Sequence, residues 1–516
     1  MRTVITLIAL SVGLHAQGAG GVQFRDWTAP AMTAHPKSAC TELRAQTNYE
    51  FSVLNASVIQ ATPQAPEHCR VSVLIAPEIN IEVNLPAAWN GRLYMFGNGG
   101  FAGESFDAAN RVANRAKGLS HGFATAATDT GHSAALEPAA TFAANQQKLV
   151  DFAFRSLHLT AVTAKLLVNA YYGQAPSKSY FDGCSQGGRQ GLMLAQRFPG
   201  DFDGIVAGAP GLDNSGVMLA RGYFAQAAAA APIPAAKLKT LADRVYEQCD
   251  AKDGLKDGLI DDPRKCGFKP SRDLPRCPAG ADASNCFTEA QIGTLERIYS
   301  DVYSHGQRFF PGWPVGGEVA GPNGQSGWIG QLVNGPNGPG VFTRYSETFL
   351  QYMAFPEKDP AYALSRFDID KDIPRTTAAA QLLNATDTDL SAFQRRGGKI
   401  VMYFGWADPQ LNPMMGVEYY EKVTERMGTA TPDFFRLFMV PGMFHCQGGV
   451  GMNVFDAATP LVKWVESSTA PAEIAASRVV DSKVIRTRPL CAYPQVARYK
   501  GSGSIDDAAN FSCVRP

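Results

Sequence analysis

No charge of either sign dominates this chain. Its 516 residues carry 47 Lys and Arg against 47 Asp and Glu, a formal net charge of zero with a pI near 7.1. A nucleic-acid-binding domain shows a clustered basic surface and a raised pI, so no nucleic-acid partner is expected. No run of 18 apolar side chains occurs after the first residues, so no transmembrane span and no membrane partner is expected. There is no C-x-x-C pair and no Cys/His cluster, which argues against zinc. No segment repeats. The 50 glycines and 33 prolines stay below the roughly 25–30% of a low-complexity chain.

What is present begins with MRTVITLIALSVGLHAQGAGG. A basic Arg2, an apolar run from Val4 to Leu14 and small residues at Ala16 and Ala19 make the pattern of a cleaved secretory signal over 1–19. A secreted or periplasmic protein is therefore expected. Ten cysteines follow, an even count that reads as disulfides in an exported chain. Pairing sequential neighbours gives Cys40–Cys69, Cys249–Cys266, Cys277–Cys286 and Cys491–Cys513 and leaves Cys184 and Cys446. Spacing alone leaves other pairings open.

Apolar, β-rich runs at 70–78, 92–100 and 122–129 precede a helical stretch at 147–172. KSYFDGCS then reads as a strand, QGGRQGLMLAQRF as a helix and DGIVAGAP (203–210) as a strand. Alternation of this kind implies an α/β domain with a parallel sheet. From about 212 to 388 the text is irregular, rich in Gly, Pro and aromatics. Sheet-like text returns at 399–408 and 433–446, with a helix at 413–427 between. The expected organisation is one catalytic domain, 20–211 and 389–516, interrupted by an inserted lid, 212–388.

Gly183-Cys184-Ser185-Gln186-Gly187 fits G-x-S-x-G between a predicted strand and a predicted helix, the context of an exposed nucleophilic serine. Serine needs a base, and the base needs a carboxylate to orient it. His445 is the one histidine after the irregular stretch, and Asp408 in FGWADPQLNP follows a strand, giving the order Ser, Asp, His. Asp433 competes but precedes its strand. Should Ser185 and His445 meet, their neighbours Cys184 and Cys446 meet too, and a disulfide between them would clasp the two turns. Backbone N–H donors for an oxyanion are expected from Gln186 and from Gly99 and Gly100 in FGNGGFAG.

In CDAKDGLKDGLIDDP, Asp250, Asp253 and Asp257 could hold a hard cation such as calcium, although Asp-Gly is also ordinary turn chemistry. The insertion carries Phe309, Phe310, Trp313, Trp328, Phe342, Tyr345, Phe349, Tyr352 and Phe355, which read mostly as its own core. Arg344 is a candidate for a substrate carboxylate.

GCSQGGRQG (183–191), PGDFDGIVAGAP (199–210), GWADP (405–409), GMFHC (442–446) and ATDTGH (127–132) together resemble the tannase and feruloyl esterase family, which includes mono(hydroxyethyl) terephthalate hydrolases. The resemblance covers nearly the whole mature chain. It implies an α/β-hydrolase core with a large lid, the Ser185–Asp408–His445 triad, the adjacent disulfide and the four sequential ones. It also implies structural calcium on Asp250, Asp253 and Asp257 with the carbonyls of Leu255 and Leu259. The implied partner is a small aromatic ester: a feruloyl esterase first, a tannase or terephthalate-monoester hydrolase as alternatives, a calcium-stabilised binding protein in another class. Position 186 is Gln where some relatives have Glu.

Overall fold

The computed structural model describes residues 32–319, 327–335 and 338–516. The expected signal at 1–19 lies outside the described residues. A nine-stranded sheet forms the centre. Its strands are β1 (Ser52–Ile59), β2 (His68–Ile75), β3 (Ile79–Pro86), β4 (Arg92–Phe96), β5 (Ala124–Thr128), β6 (Lys178–Cys184) and β7 (Gly204–Gly208). After a small hairpin, β8 (Val302–Ser304) with β9 (Gln307–Phe310), β10 (Lys399–Gly405) and β11 (Phe435–Val440) complete it. The order is β1-β2-β3-β5-β4-β6-β7-β10-β11. The first three strands and β5 pair antiparallel, and from β5 to β11 every neighbour is parallel.

Parallel neighbours require crossovers. Helices Ala109–Ser120, Ser156–Tyr172, Gln186–Arg197 and Met414–Met427 supply them. Sandwiched strands lose the alternation of a half-exposed strand: β4, β5 and β7 are buried at every position, whereas edge strand β1 is exposed at four of its eight positions. This is the α/β-hydrolase arrangement, and the carboxyl ends of its parallel strands gather the candidate site.

The helix expected over 147–172 is interrupted. Gln146–Val150 is followed by a wide turn at Asp151–Arg155 before Ser156–Tyr172 begins. Ser156 Oγ donates to the Asp151 carbonyl at 2.7 Å. The carbonyls of Phe152 and Ala153 accept from the Arg189 guanidinium instead, at 3.2 and 3.1 Å.

The irregular reading of 212–388 is corrected here. The chain between β7 and β10 holds helices Asn214–Ala230, Ala235–Cys249, Glu289–Tyr299 and Val341–Tyr352. The first is buried on most sides, so it lacks the one-sided apolar period by which a helix is read. The third was readable: Thr288 and Gln291 form a reciprocal capping box. Phe310, Trp313, Trp328, Phe342, Phe349 and Phe355 are buried and make the insertion's own core.

The disulfides are Cys40–Cys69, Cys184–Cys446, Cys249–Cys266, Cys277–Cys286 and Cys491–Cys513. No helix of the described residues is long and apolar enough to cross a membrane.

Candidate active site

Ser185 sits on the turn between β6 and helix Gln186–Arg197 with φ 64° and ψ −121°. A non-glycine residue there stores on the order of 1–3 kcal/mol of strain. The surroundings hold it. Ser185 N donates to Gly208 O at 2.9 Å, and its carbonyl accepts from Arg189 N at 3.1 Å and Gly211 N at 3.2 Å. Glycine at 183 is a steric demand, because a Cβ would come within 2.6 Å of the Gly187 carbonyl carbon.

Asp408 follows β10 by three residues and is 1% exposed. Its Oδ1 accepts from Gln410 N at 2.8 Å and Leu411 N at 2.9 Å. Its Oδ2 meets His445 Nδ1 at 2.7 Å, and its carbonyl accepts from Trp313 Nε1 at 3.0 Å. His445 follows β11, so both residues stand at the carboxyl end of the sheet. Asp433 lies at the other end of β11, where its carbonyl accepts from Lys399 Nζ. Ser185 and His445 line one cavity of about 330 Å³, and the Cys184–Cys446 bond ties their neighbours. No hydrogen bond of the described residues joins the serine hydroxyl to the imidazole. Such bonds are often loose until substrate closes the site.

Gln186, Gly99 and Gly100 line the same cavity. Gly99 does not present its N–H to it: that group donates to Glu104 Oε2 at 3.2 Å. The rest of the loop is similarly committed. Asn98 N donates to Gln190 Oε1 at 3.0 Å, Ala102 N to Gly99 O at 2.8 Å and Gly103 N to Asp129 O at 3.0 Å. Arg111 Nη1 donates to Gly97 O at 2.6 Å, and His132 Nε2 meets Phe101 O at 3.1 Å. The N–H groups of Gly100 and Phe101 have no partner among the described residues. Gly99 O and the Gly100 N–H belong to one trans peptide and point opposite ways, so the bond to Ala102 aims the Gly100 N–H away from the turn.

Sequence reasoning missed most of this wiring: Glu104 folds back from five residues further along the same loop, Arg111 comes from helix Ala109–Ser120 and His132 from beyond β5. Asp129 accepts from Asn80 and Gly131, yet burial pushes its carboxyl up to about 6. Burial also takes His132 down to about 4, and its ring stacks on Phe142 with centroids 3.8 Å apart.

The insertion reaches the cavity through Val341 and Tyr345 of helix Val341–Tyr352. The Tyr345 ring stacks on Phe101 with centroids 4.6 Å apart. Arg344, the expected carboxylate partner, is exposed and does not line the cavity; the arginine that does is Arg221.

Residues 63–514 match the family described as "Tannase and feruloyl esterase". The chain belongs to this family. Among curated relatives, mono(2-hydroxyethyl) terephthalate hydrolase of Piscinibacter sakaiensis is 36% identical, over 87% of this chain and 85% of that one. A probable feruloyl esterase B-2 of Aspergillus flavus is 33% identical over 80% of each. Among solved structures, feruloyl esterase B from Aspergillus oryzae superposes with a TM-score of 0.79 at 28% identity, over 92% of this chain and 99% of that one. This tannase and feruloyl esterase family member is a carboxylic ester hydrolase.

The family member's acidic loop lies apart from the triad candidates. Asp250 accepts from Asp257 N at 3.1 Å and Gly258 N at 3.0 Å. Asp257 pairs with Arg488 at 2.5 Å and Arg486 at 3.5 Å. Asp253 shares a hydrogen bond with Asp261, a residue absent from the sequence-derived ligand set. Burial, followed by the nearby Asp253 charge, drives Asp261 well above the usual carboxylate range. Two carboxylates pressed together are what a divalent cation relieves, and oxygen donors suit calcium. The donor chemistry therefore fits. No three His, Cys, Asp or Glu side chains of the described residues converge as a cage, so backbone carbonyls would have to complete it. Leu259 packs beneath the turn that leads to His445, its Cδ2 3.0 Å from where a Cβ on Gly442 would stand.

Proposed function

We propose that this ester hydrolase is an exported serine esterase acting on esters of aromatic acids, with feruloyl esters as the first candidates. The observation that carries the reading is the 2.7 Å contact of His445 Nδ1 with Asp408 Oδ2 at the cavity that Ser185 lines. With Nδ1 donating to the carboxylate, Nε2 is the basic nitrogen. It takes the Ser185 proton as the hydroxyl oxygen attacks the ester carbonyl. Asp408 fixes the tautomer and stabilises the imidazolium. The N–H groups of Gly100 and Gln186 receive the developing oxyanion. His445 returns the proton to the departing alcohol, leaving an acyl-enzyme. Water then attacks that acyl group through the same base, and Ser185 recovers its proton.

Helix Val341–Tyr352 and its neighbours between β7 and β10 act as the lid, with Tyr345 over the acyl side. Asp250, Asp253 and Asp257 through their carboxylates and Leu255 and Leu259 through their carbonyls would hold a calcium ion, with Asp261 beside them. When bound it supplies charge neutralisation to the loop and takes no part in the ester chemistry. The five disulfides and the N-terminal pattern support export. Terephthalate monoesters are the second candidate substrate class, favoured by the 36% identity to a hydrolase of such an ester.

Fluorophosphonate labelling followed by peptide mapping tests the nucleophile: an adduct on Ser185 is expected, and an adduct elsewhere overturns the assignment. Turnover of methyl ferulate, methyl gallate and mono(hydroxyethyl) terephthalate ranks the substrates. Failure on all three, with a simple alkyl ester turned over, would remove the aromatic-acid reading.

A further inference from the structure

We propose that Arg221 is a positioning residue for the acid of the site, acting through the carbonyl of Gln410 on the turn that cradles Asp408. The inference rests on the serine-esterase reading above. Arg221 stands on helix Asn214–Ala230 and is 3% exposed. It makes no ion pair among the described residues, an expensive condition for a buried guanidinium. Burial draws it down to about 10, so it stays charged near neutrality. Its face lies over the Phe342 ring, 5.4 Å from the centroid, and Nη1 reaches only the Met218 sulfur at 3.7 Å. The strong contacts converge on one atom: Nε donates to Gln410 O at 3.0 Å, and Nη2 donates to the same oxygen.

That oxygen belongs to the peptide unit whose other end is the Leu411 N–H. In a planar trans peptide the two point in opposite directions. Gripping the carbonyl therefore sets the direction of the Leu411 N–H, which donates to Asp408 Oδ1 at 2.9 Å. With Oδ1 held there and by Gln410 N, the carboxylate cannot rotate, and Oδ2 stays on His445 Nδ1. The turn is pinned again at Asp408 O by Trp313 and through Asn412 Nδ2, which donates to Pro311 O at 2.8 Å. Arg221 is the one of these anchors that acts on the peptide facing the carboxylate. An apolar residue of similar length would fill the same space without that directional hold.

The test compares Arg221→Met and Arg221→Lys with wild type on one ester substrate, with melting curves to confirm folding. Loss of alignment in a catalytic constellation costs about 100-fold when groups shift by about 1 Å. Arg221→Met is expected to lose kcat by about that factor with KM held within about threefold, the pattern of an interaction that matters in the transition state. Arg221→Lys keeps one donor and is expected to recover about tenfold of the loss. A folded Arg221→Met enzyme with kcat within about twofold of wild type, or a defect confined to KM, overturns the proposal. Should Arg221→Met not fold, Arg221→Lys decides: a kcat loss of about fivefold or more at unchanged KM supports the role, and wild-type kcat removes it. Ser185→Ala run alongside keeps the failures apart. Turnover retained there sinks the serine reading, whereas an inactive Ser185→Ala beside a fully active Arg221→Met sinks only this one.

Discussion

Cys184 and Cys446 are bonded to each other, and each is the chain neighbour of a candidate catalytic residue, Ser185 after the first and His445 before the second. The bond closes a sequence separation of 262. In the chain-entropy description such a closure is worth on the order of 5 kcal/mol. Replacing both cysteines by serine should lower the denaturant midpoint sharply, by more than loss of the Cys277–Cys286 pair with its separation of 9. Equilibrium unfolding of the two double variants checks the order, and equal losses would refute it.

Ser185→Ala should remove turnover while leaving the melting temperature close to wild type, since the hydroxyl makes no hydrogen bond among the described residues. Asp408→Asn should reduce kcat by about 10⁴ with the fold intact, because the amide stabilises the wrong tautomer. Steady-state kinetics and calorimetry on both variants are the measurements.

Glu104 holds the Gly99 N–H, so Glu104→Ala should loosen the loop that presents Gly100. An oxyanion donor is worth about 10²–10³ in kcat when deleted; displacing one should cost about tenfold. Glu104→Gln keeps an acceptor oxygen and should stay close to wild type. Identical kcat values for the Ala and Gln variants would show that the contact is incidental.

Asp129 and His132 pull stability in opposite directions below neutrality. For His132, lowered from 6.5 to about 4, the stabilisation is complete above 6.5 and is lost as pH falls towards 4. For Asp129, raised from 3.8 to about 6, the stabilisation is complete below 3.8 and is lost as pH rises through 6. The wild-type pair should largely cancel between about pH 4 and 6. Asp129→Asn should unmask a stability that climbs with pH across that window, and His132→Gln one that declines. Chemical unfolding at several pH values reads the slopes directly.

Calcium removal should destabilise the enzyme without touching the chemistry. A ligand present at about 100 times its Kd adds about 2.7 kcal/mol to the folded state. A chelator should therefore lower the melting temperature by several degrees, restored by added calcium, with Asp253→Asn and Asp261→Asn blunting the response. A chelator-insensitive melt together with no metal by elemental analysis would remove the ion.

The α/β alternation and the strand–turn–helix around Ser185 were legible because each depends on neighbours in sequence: β6, Ser185 and helix Gln186–Arg197 are contiguous. The placement of Asp408 and His445 just past two strands was legible because each follows a run of apolar text. The acidic loop showed its aspartates but not Asp261, whose part depends on how the chain folds back. Helix Asn214–Ala230 was hidden by burial on most sides, and the engagement of the Gly99 N–H was hidden because it depends on how Glu104 folds back along the same loop. Arg344 was a candidate by residue type alone, and it is exposed; Arg221, which does line the cavity, carries no sequence signal of its own.

The indole of Trp313 reaches out of the segment between β7 and β10 to bond the backbone of Asp408. That segment is thus part of the scaffold of Asp408 and cannot be exchanged like a glove. A chimera built to borrow another relative's preference by grafting its whole insert must bring a matching donor at 313, or Asp408 will sit out of line with His445 and, on the serine-esterase proposal, rate will fall for every ester alike.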